Sequence, residues 1–216
     1  MSFSAIVVAA GSGTRAGAGT PKAWRRLGGR AIARWSVEAL LAAGADDIAV
    51  AVAPDMIETA GSALGELPNI TLVEGGATRS ASVRAAITAL SPHRRDQPVL
   101  VHDAARPFLT RDHVSQALGA LAEADGAILA LPLADTLKRQ AGPRLETPSR
   151  EGLWRAQTPQ AFRHDQLAAA YAAWPDDQEP TDDAQVVTAA GGSVAICPGD
   201  PLLFKLTYPE DFAMAE

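Results

Sequence analysis

Strand-length apolar runs alternate along this chain with segments whose apolar residues return every three or four positions, the repeat of a helix face. Residues 3–9, FSAIVVA, read as a strand buried on both sides. Residues 32–43 place Ile32, Trp35, Ala39 and Leu40 at helical spacing, and Gly44 supplies a stop. The same alternation predicts strands at 48–53, 70–73, 99–102 and 127–133, with helices at 55–66, 80–90 and 112–124 between them. This βα order predicts an α/β fold, a mainly parallel sheet sandwiched by helices. Ligands are expected at the C-terminal strand ends.

The rhythm changes after Leu133. Residues 134–149 hold two prolines, one glycine and mixed charges, and 153–156 turn apolar again. We read about 134–160 as a projecting strand–loop–strand arm. Helices at 165–173 and 182–190 follow, then a strand at 193–197, an apolar strand at 203–207 and a helical stretch at 209–216. Neither internal repeats nor low-complexity tracts break the pattern, so 1–216 is expected to form one domain.

Composition narrows the partners. The 216 residues are 47% hydrophobic and 20% charged, which suits a soluble globular domain. No run approaches the ~20 apolar residues of a membrane span. The N-terminus enters its first strand without the basic region and long apolar run of a signal peptide. Cys197, the single cysteine, excludes an internal disulfide, fits a reducing cytoplasm and reads as a small apolar strand residue. A net charge of -6 with no basic tract argues against a polynucleotide partner. A small polyanion needs only a few cations and oriented amides.

VVAAGSGTRA, residues 7–16, meets the dinucleotide pattern through Gly11, Gly13 and Ala16. A dinucleotide site also needs an acid ~20 residues on, for the ribose. Arg34, Trp35 and Ser36 occupy that region, so a nicotinamide site is excluded. A Walker A loop is absent too. The loop instead carries Arg15, and Lys22 follows Pro21. Glycines 11, 13, 17 and 19 with two cations can wrap a triphosphate, although Lys22 alone also reads as a surface lysine after a helix-starting proline.

GGATRSASV, residues 75–83, is either a capped turn or a backbone and hydroxyl pocket for a base or sugar, with Gly76, Arg79 and Ser82 at hand. In VHDAARP, Asp103 lies just past a strand and three residues before Arg106. That is a metal-capable carboxylate beside an anion-binding guanidinium, or an ion pair closing a loop. Mg2+ needs only one or two carboxylates besides phosphate oxygens. His102 reads as structural, and no His/Cys cluster supports zinc. Thr136 opens the arm, and Arg150 stands where REGLWRAQTPQ closes it. So many Thr, Arg and Trp residues on an exposed arm point to packing on a partner or substrate. Thr181 in TDDA reads as a helix cap, and Lys205 among apolar residues points to an anion or a carboxylate.

Taken in order, AAGSGTR, PKA, GGATRSASV, VHDAARP, DTLKR, REGLW, QTPQAF, TDDA and FKLTYPEDFAMAE resemble the 2-C-methyl-D-erythritol 4-phosphate cytidylyltransferase family over almost the whole chain. The resemblance implies a nucleotide-diphosphosugar-transferase-like, Rossmann-like fold whose arm completes a partner's site in a homodimer. It implies CMP transfer from CTP to methylerythritol phosphate with Mg2+. Arg15 and Lys22 match residues that hold the triphosphate and stabilise the transition state. Ala9, Ala10, Gly11, Gly76 and Ser82 match positions around the cytidine, with Gly13 and Arg79 in the same two substrate-binding motifs. Asp103, Arg106, Thr136, Arg150, Thr181 and Lys205 match positions that handle the metal or the acceptor. Among them Asp103 is the metal candidate, and Arg150 and Lys205 aim the phosphate.

The chain departs from the family pattern at Ala23, at Trp24-Arg25-Arg26 and at Phe204, which bears on local loop packing. A terminal helix cut short after Glu216 is expected if the chain is the first half of a longer protein, since the family includes fusions to a later cyclodiphosphate synthase. The competing readings are a ribitol 5-phosphate cytidylyltransferase and a noncatalytic nucleotide-binding module. The acceptor-side residues Thr136, Arg150 and Thr181 favour methylerythritol phosphate over ribitol 5-phosphate. Intact Lys22, Asp103 and Lys205 speak against the noncatalytic module.

Overall fold

A computed structural model describes residues 2–11 and 19–216 of the chain, so Gly13 and Arg15 of the glycine loop lie outside the described residues. The elements follow in order β1 (Phe3–Ala9), β2 (Arg26–Leu27), β3 (Arg30–Ala31), α1 (Ile32–Ala43), β4 (Ala45–Val52), α2 (Ile57–Leu64), β5 (Ile70–Glu74) and α3 (Arg79–Ala89). Then come β6 (Pro98–Asp103), α4 (Arg111–Gly119), β7 (Gly126–Pro132), β8 (Arg139–Ala141), β9 (Arg144–Glu146) and β10 (Trp154–Arg163). The chain finishes with α5 (His164–Ala173), α6 (Asp183–Ala189), β11 (Val194–Pro198) and α7 (Pro209–Ala215). Among the described residues no helix is long and apolar enough to cross a membrane.

Strand order in the main sheet is β11-β7-β10-β6-β1-β4-β5. All neighbours run parallel except β10, which is antiparallel to both β6 and β7. The mainly parallel α/β sheet is therefore present. On one face Phe3, Ala5, Val7 and Ala9 of β1 pack with Val37 and Leu40 of α1, Leu64 of α2 and Val114 of α4. On the other, Ile6 packs with Val83 of α3, Leu167 of α5 and Val186 of α6. A strand covered on both faces needs no polar alternation, which is why FSAIVVA is apolar nearly throughout. From β1 the chain winds outward through β4 and β5, then returns to place β6 on the opposite side of β1. That reversal opens a crevice beyond the C-terminal ends of β1 and β6.

Most predicted boundaries shift only by a residue or two. Gly44 ends α1 in a left-handed conformation, φ 103°, with its N–H donating to the carbonyls of Leu40 and Leu41. Cys197 sits buried in β11 as a small apolar residue. The segment 55–66 opens as a 3-10 turn, Pro54–Met56, before α2, and 112–124 closes as another, Ala120–Ala122, after α4.

Two expectations need correction. Residues 157–160 do not belong to the arm, because β10 enters the sheet between β6 and β7 there, pairing Gln160 with Val101 and Ile128. Ala161 and Phe162 are fully buried there, and Gln157, Thr158 and Gln160 are buried as well. A run of Gln, Thr and Pro reads as a loop until the sheet supplies hydrogen-bond partners for its amides. The excursion from the sheet reduces to the segment around the β8–β9 hairpin, whose six paired residues are all exposed. Residues 203–207 form no strand. A 3-10 turn, Pro201–Leu203, leads into an extended segment held by the Leu206 N–H on the Ala105 carbonyl at 2.9 Å.

The left-handed cap yields a stability test. Gly44→Ala should lower the unfolding free energy by about 1–2 kcal/mol, the cost of a Cβ at positive φ. Urea denaturation measures it, and an unchanged midpoint would contradict the strain.

Candidate active site

Ala9, Ala10 and Gly11 emerge from the end of β1 into a cavity of about 520 Å3, also lined by Lys22, Gly76, Arg79, Ser82, Asp103 and Lys205. The cavity occupies the crevice that the strand order creates. Its second wall starts at Gly75, whose N–H donates to the Val52 carbonyl at the end of β4. A Cβ on Gly75 would come within 2.4 Å of the Ala10 Cβ, and one on Gly76 within 2.4 Å of the Ala81 Cβ. The Gly75-Gly76 pair thus lets two backbones meet at the cavity rim. Thr78 caps α3 by accepting from the Ala81 N–H at 3.1 Å, and the Ser82 hydroxyl donates to the Thr78 carbonyl at 2.8 Å. The capped turn and the pocket wall are the same structure.

Lys22 opens a 3-10 turn, Lys22–Trp24, after Pro21, and buried Trp24 anchors it to the core under the sheet. Trp24, one of the departures from the family pattern, is thus an anchoring residue. Gly13 and Arg15 cannot be placed relative to this turn, since they lie outside the described residues.

The charged floor is Asp103. Lys205 Nζ lies 2.9 Å from Asp103 Oδ2, Arg106 Nε lies 3.6 Å from the same oxygen, and Arg79 Nε lies 3.5 Å from Oδ1. Burial by itself would raise this carboxyl's pKa, but the charges of Lys205, Arg79 and Arg106 outweigh it and hold the group far below the usual range. Asp103 is therefore ionised at any physiological pH. Arg106 faces inward rather than lining the cavity, and its guanidinium also donates to the Leu203 carbonyl, fastening the Lys205 segment.

A closed run of hydrogen bonds fixes the Asp103 backbone. Its N–H donates to Thr158 Oγ1 at 3.0 Å. The Thr158 hydroxyl then donates to His102 Nδ1 at 3.2 Å, and His102 Nε2–H donates to the Arg106 carbonyl at 3.1 Å. The Arg106 carbonyl requires a proton on Nε2, and an imidazole kept neutral by burial then leaves Nδ1 to accept from Thr158. Burial lowers the His102 pKa from 6.5 to about 4, against the pull of the Asp103 charge. The structural reading of His102 holds.

The remaining candidates are not brought to this cavity. Thr136 and Arg150 are exposed on the excursion between β7 and β10, where the Arg150 guanidinium donates to the Ala134 carbonyl. Thr181 is exposed, and its N–H and hydroxyl both donate to Gln185 Oε1 at 2.7 and 3.0 Å. The cap of α6 is Asp182, accepting from the Gln185 N–H at 2.9 Å.

With this geometry in view, the comparisons are specific. Residues 3–216 match the profile described as "IspD: 2-C-methyl-D-erythritol 4-phosphate cytidylyltransferase". A 2-C-methyl-D-erythritol 4-phosphate cytidylyltransferase of Cereibacter sphaeroides is 44% identical, covering 100% of this chain and 96% of that protein. The chain belongs to this family. It is also 58% identical to a bifunctional enzyme IspD/IspF of Caulobacter vibrioides, of whose length it spans 56%. The crystal structure of the Thermus thermophilus cytidylyltransferase superposes with a TM-score of 0.82 at 36% identity, covering 100% of this chain and 98% of that one.

Three residues around this cavity escaped the reading of the sequence. Asp183 is fully buried and forms a bidentate pair with Arg79 at 3.0 and 2.7 Å. Tyr171 donates its hydroxyl to the same carboxylate at 2.6 Å. Glu179 accepts from the Ser80 N–H and hydroxyl, bracing the start of α3. One signal was present: Asp183 shares a helix face with Val186 and Val187, and an acid on a buried face needs a buried donor or cation.

The His102 environment predicts a pH dependence. As pH falls from 6.5 toward 4 the unfolded chain binds a proton at this site and the folded chain does not, so stability declines across that window. His102→Asn should flatten the decline by about 3 kcal/mol in denaturant titrations. An identical slope in the variant would remove His102 from this role.

Proposed function

We propose that this chain transfers CMP from CTP to the 4-phosphate of 2-C-methyl-D-erythritol, releasing pyrophosphate. The observation that carries the reading is the cavity itself, where Lys205 and Arg79 pair with one ionised acid, and Lys22 shares the lining with the backbone wall of Ala9–Gly11 and Gly76. Such a cavity suits a reaction between two anions. A phosphate oxygen of the acceptor attacks the α-phosphorus of CTP, the bond from that phosphorus to the bridging oxygen breaks, and pyrophosphate departs with the electron pair. The attacking oxygen is already ionised, so no general base is needed. What the protein must supply is alignment and charge neutralisation.

Lys22, with Arg15, is assigned to the triphosphate, and Lys205 to the incoming phosphate. Ala9, Ala10, Gly11, Gly76 and Ser82 are assigned to the cytidine, with Gly13 in the same loop. Mg2+ fits the donor set, because Asp103 is one hard carboxylate at the cavity floor and Mg2+ takes its other ligands from phosphates and water. Asp103 would hold the ion, which when bound supplies charge neutralisation at the phosphates. In this reading the enzyme is a cytoplasmic homodimer. Thr136 and Arg150 lie away from the cavity of their own chain, and Leu145, Leu153 and Trp154 nearby are exposed at 63%, 44% and 47%. These features support an excursion that docks on a second copy and brings Arg150 to its site.

Pyrophosphate release with CTP and methylerythritol phosphate tests the reaction, with ribitol 5-phosphate and the other nucleoside triphosphates as comparisons. Turnover confined to ribitol 5-phosphate, or CTP binding with no turnover, would overturn the proposal. Lys22→Ala should reduce turnover by at least ~10²-fold, as for loss of one charge-stabilising donor. Near-normal turnover in a folded variant would remove Lys22 from the chemistry. For the dimer, mixing inactive Arg150→Ala and Lys22→Ala subunits should restore some activity. No recovery despite verified subunit exchange would place Arg150 in its own subunit's site.

A further inference from the structure

Arg79 stands between two buried acids. It begins α3 and lines the cavity, yet it turns its Nη1 and Nη2 edge away from Asp103 and onto Asp183, 104 residues further along the chain. Those contacts, at 3.0 and 2.7 Å, occupy the guanidinium's paired donors. Only Nε is left to face Asp103 Oδ1, at 3.5 Å. Asp183 has no solvent exposure, and Tyr171, itself 2% exposed, holds its Oδ1 through a hydroxyl at 2.6 Å. A fully buried carboxylate fixed by a tyrosine from α5 is an expensive way merely to join two helices, because the ion must be desolvated. It does place a second acid where it competes with Asp103 for Arg79.

We propose that Asp183, oriented by Tyr171, is a positioning residue that withholds the paired donors of Arg79 from Asp103 and so keeps Asp103 and Lys205 in their working arrangement. This rests on the cytidylyl-transfer reading, in which Lys205 receives the acceptor phosphate. Without the Asp183 charge, the acid already ion-paired with Arg79 is Asp103, 3.5 Å from Nε. A bidentate Arg79 there would cover Oδ1 and weaken the hold of Asp103 on Lys205, which shares the same carboxylate. The glycine wall at Gly75-Gly76 is braced separately, by the Thr78 cap and the Ser82 hydroxyl. The damage should therefore fall on the acceptor side and spare the nucleotide side. The charge of Asp183 helps keep Arg79 protonated, and burial keeps the Tyr171 hydroxyl protonated as a donor.

The test is steady-state kinetics and CTP calorimetry on Asp183→Asn, which keeps the side-chain shape and removes the charge. The expected result is a loss of about 10-fold or more in kcat/KM for methylerythritol phosphate, of the size that misplaced catalytic groups produce. The CTP dissociation constant should stay within about twofold of wild type. In an Arg79→Met background, adding Asp183→Asn should cause no further loss, since Asp183 acts through Arg79. Equal losses for both substrates, or losses that multiply in the double variant, would overturn the proposal and leave a purely structural ion pair.

If Asp183→Asn does not fold, Tyr171→Phe removes one hydrogen bond to the same carboxylate and should show the same split at smaller amplitude. The NMR resonance of the Arg79 Nε–H needs no turnover. It should shift in Tyr171→Phe as Arg79 moves toward Asp103, and an unmoved resonance would sink the inference. That measurement decides the positioning role even if wild-type chain proves inactive with this acceptor, a result that would defeat only the assigned reaction.

Discussion

Asp103 is a carboxylate that the fold has taken out of water, and the arrangement around it follows from that fact. An isolated buried charge is costly, and stripping a partner from a buried pair typically costs ~3–5 kcal/mol. Here Lys205, Arg79 and Arg106 arrive from three different stretches of chain to share the load. Each brings its own segment with it. Arg106 fastens the Leu203 carbonyl, Leu206 ties back to Ala105, and Arg79 joins the start of α3 to the start of α6. The electrostatics that hold the acid also gather the cavity walls.

The sheet makes this possible by placing the ends of β1 and β6 side by side. Val8 is paired with Asp103, so the glycine turn after β1 and the acid after β6 leave the sheet at the same level. The Gly75-Gly76 approach to Ala10 and Ala81 then closes one side of the cavity so tightly that a Cβ on either glycine would clash. In chemical terms, a rigid backbone wall faces a group of cations across a cleft. That suits a reaction whose barrier lies in bringing two anions together rather than in moving a proton.

Much of this was legible in the chain. The strands β1, β4, β5, β6 and β7 and the helices between them were plain because a doubly covered sheet demands continuous apolar runs, and Gly44 marked a helix end through its left-handed requirement. Lys22, Asp103, Lys205 and the glycine pairs stood out because each is an awkward residue for its surroundings. Strand β10 was harder to see. Its Gln157, Thr158 and Gln160 are polar because they receive and donate hydrogen bonds inside the protein, as Gln157 does with the Asp200 backbone and Thr158 with His102. From sequence alone such residues look solvated.

The sequence by itself determined the α/β class, the order of most elements, the motifs of a cytidylyltransferase and the residue types its chemistry requires. Those features are local or periodic, written in the spacing of apolar residues and in short glycine and charge motifs. Only the tertiary structure decided how the charges are shared. Arg106 turned inward, Arg79 turned to Asp183, and His102 became the neutral link between Thr158 and Arg106, all through partners distant in sequence or on another element. Long-range pairing of buried charges leaves no periodic trace, because it depends on which side chains the fold brings within about 4 Å.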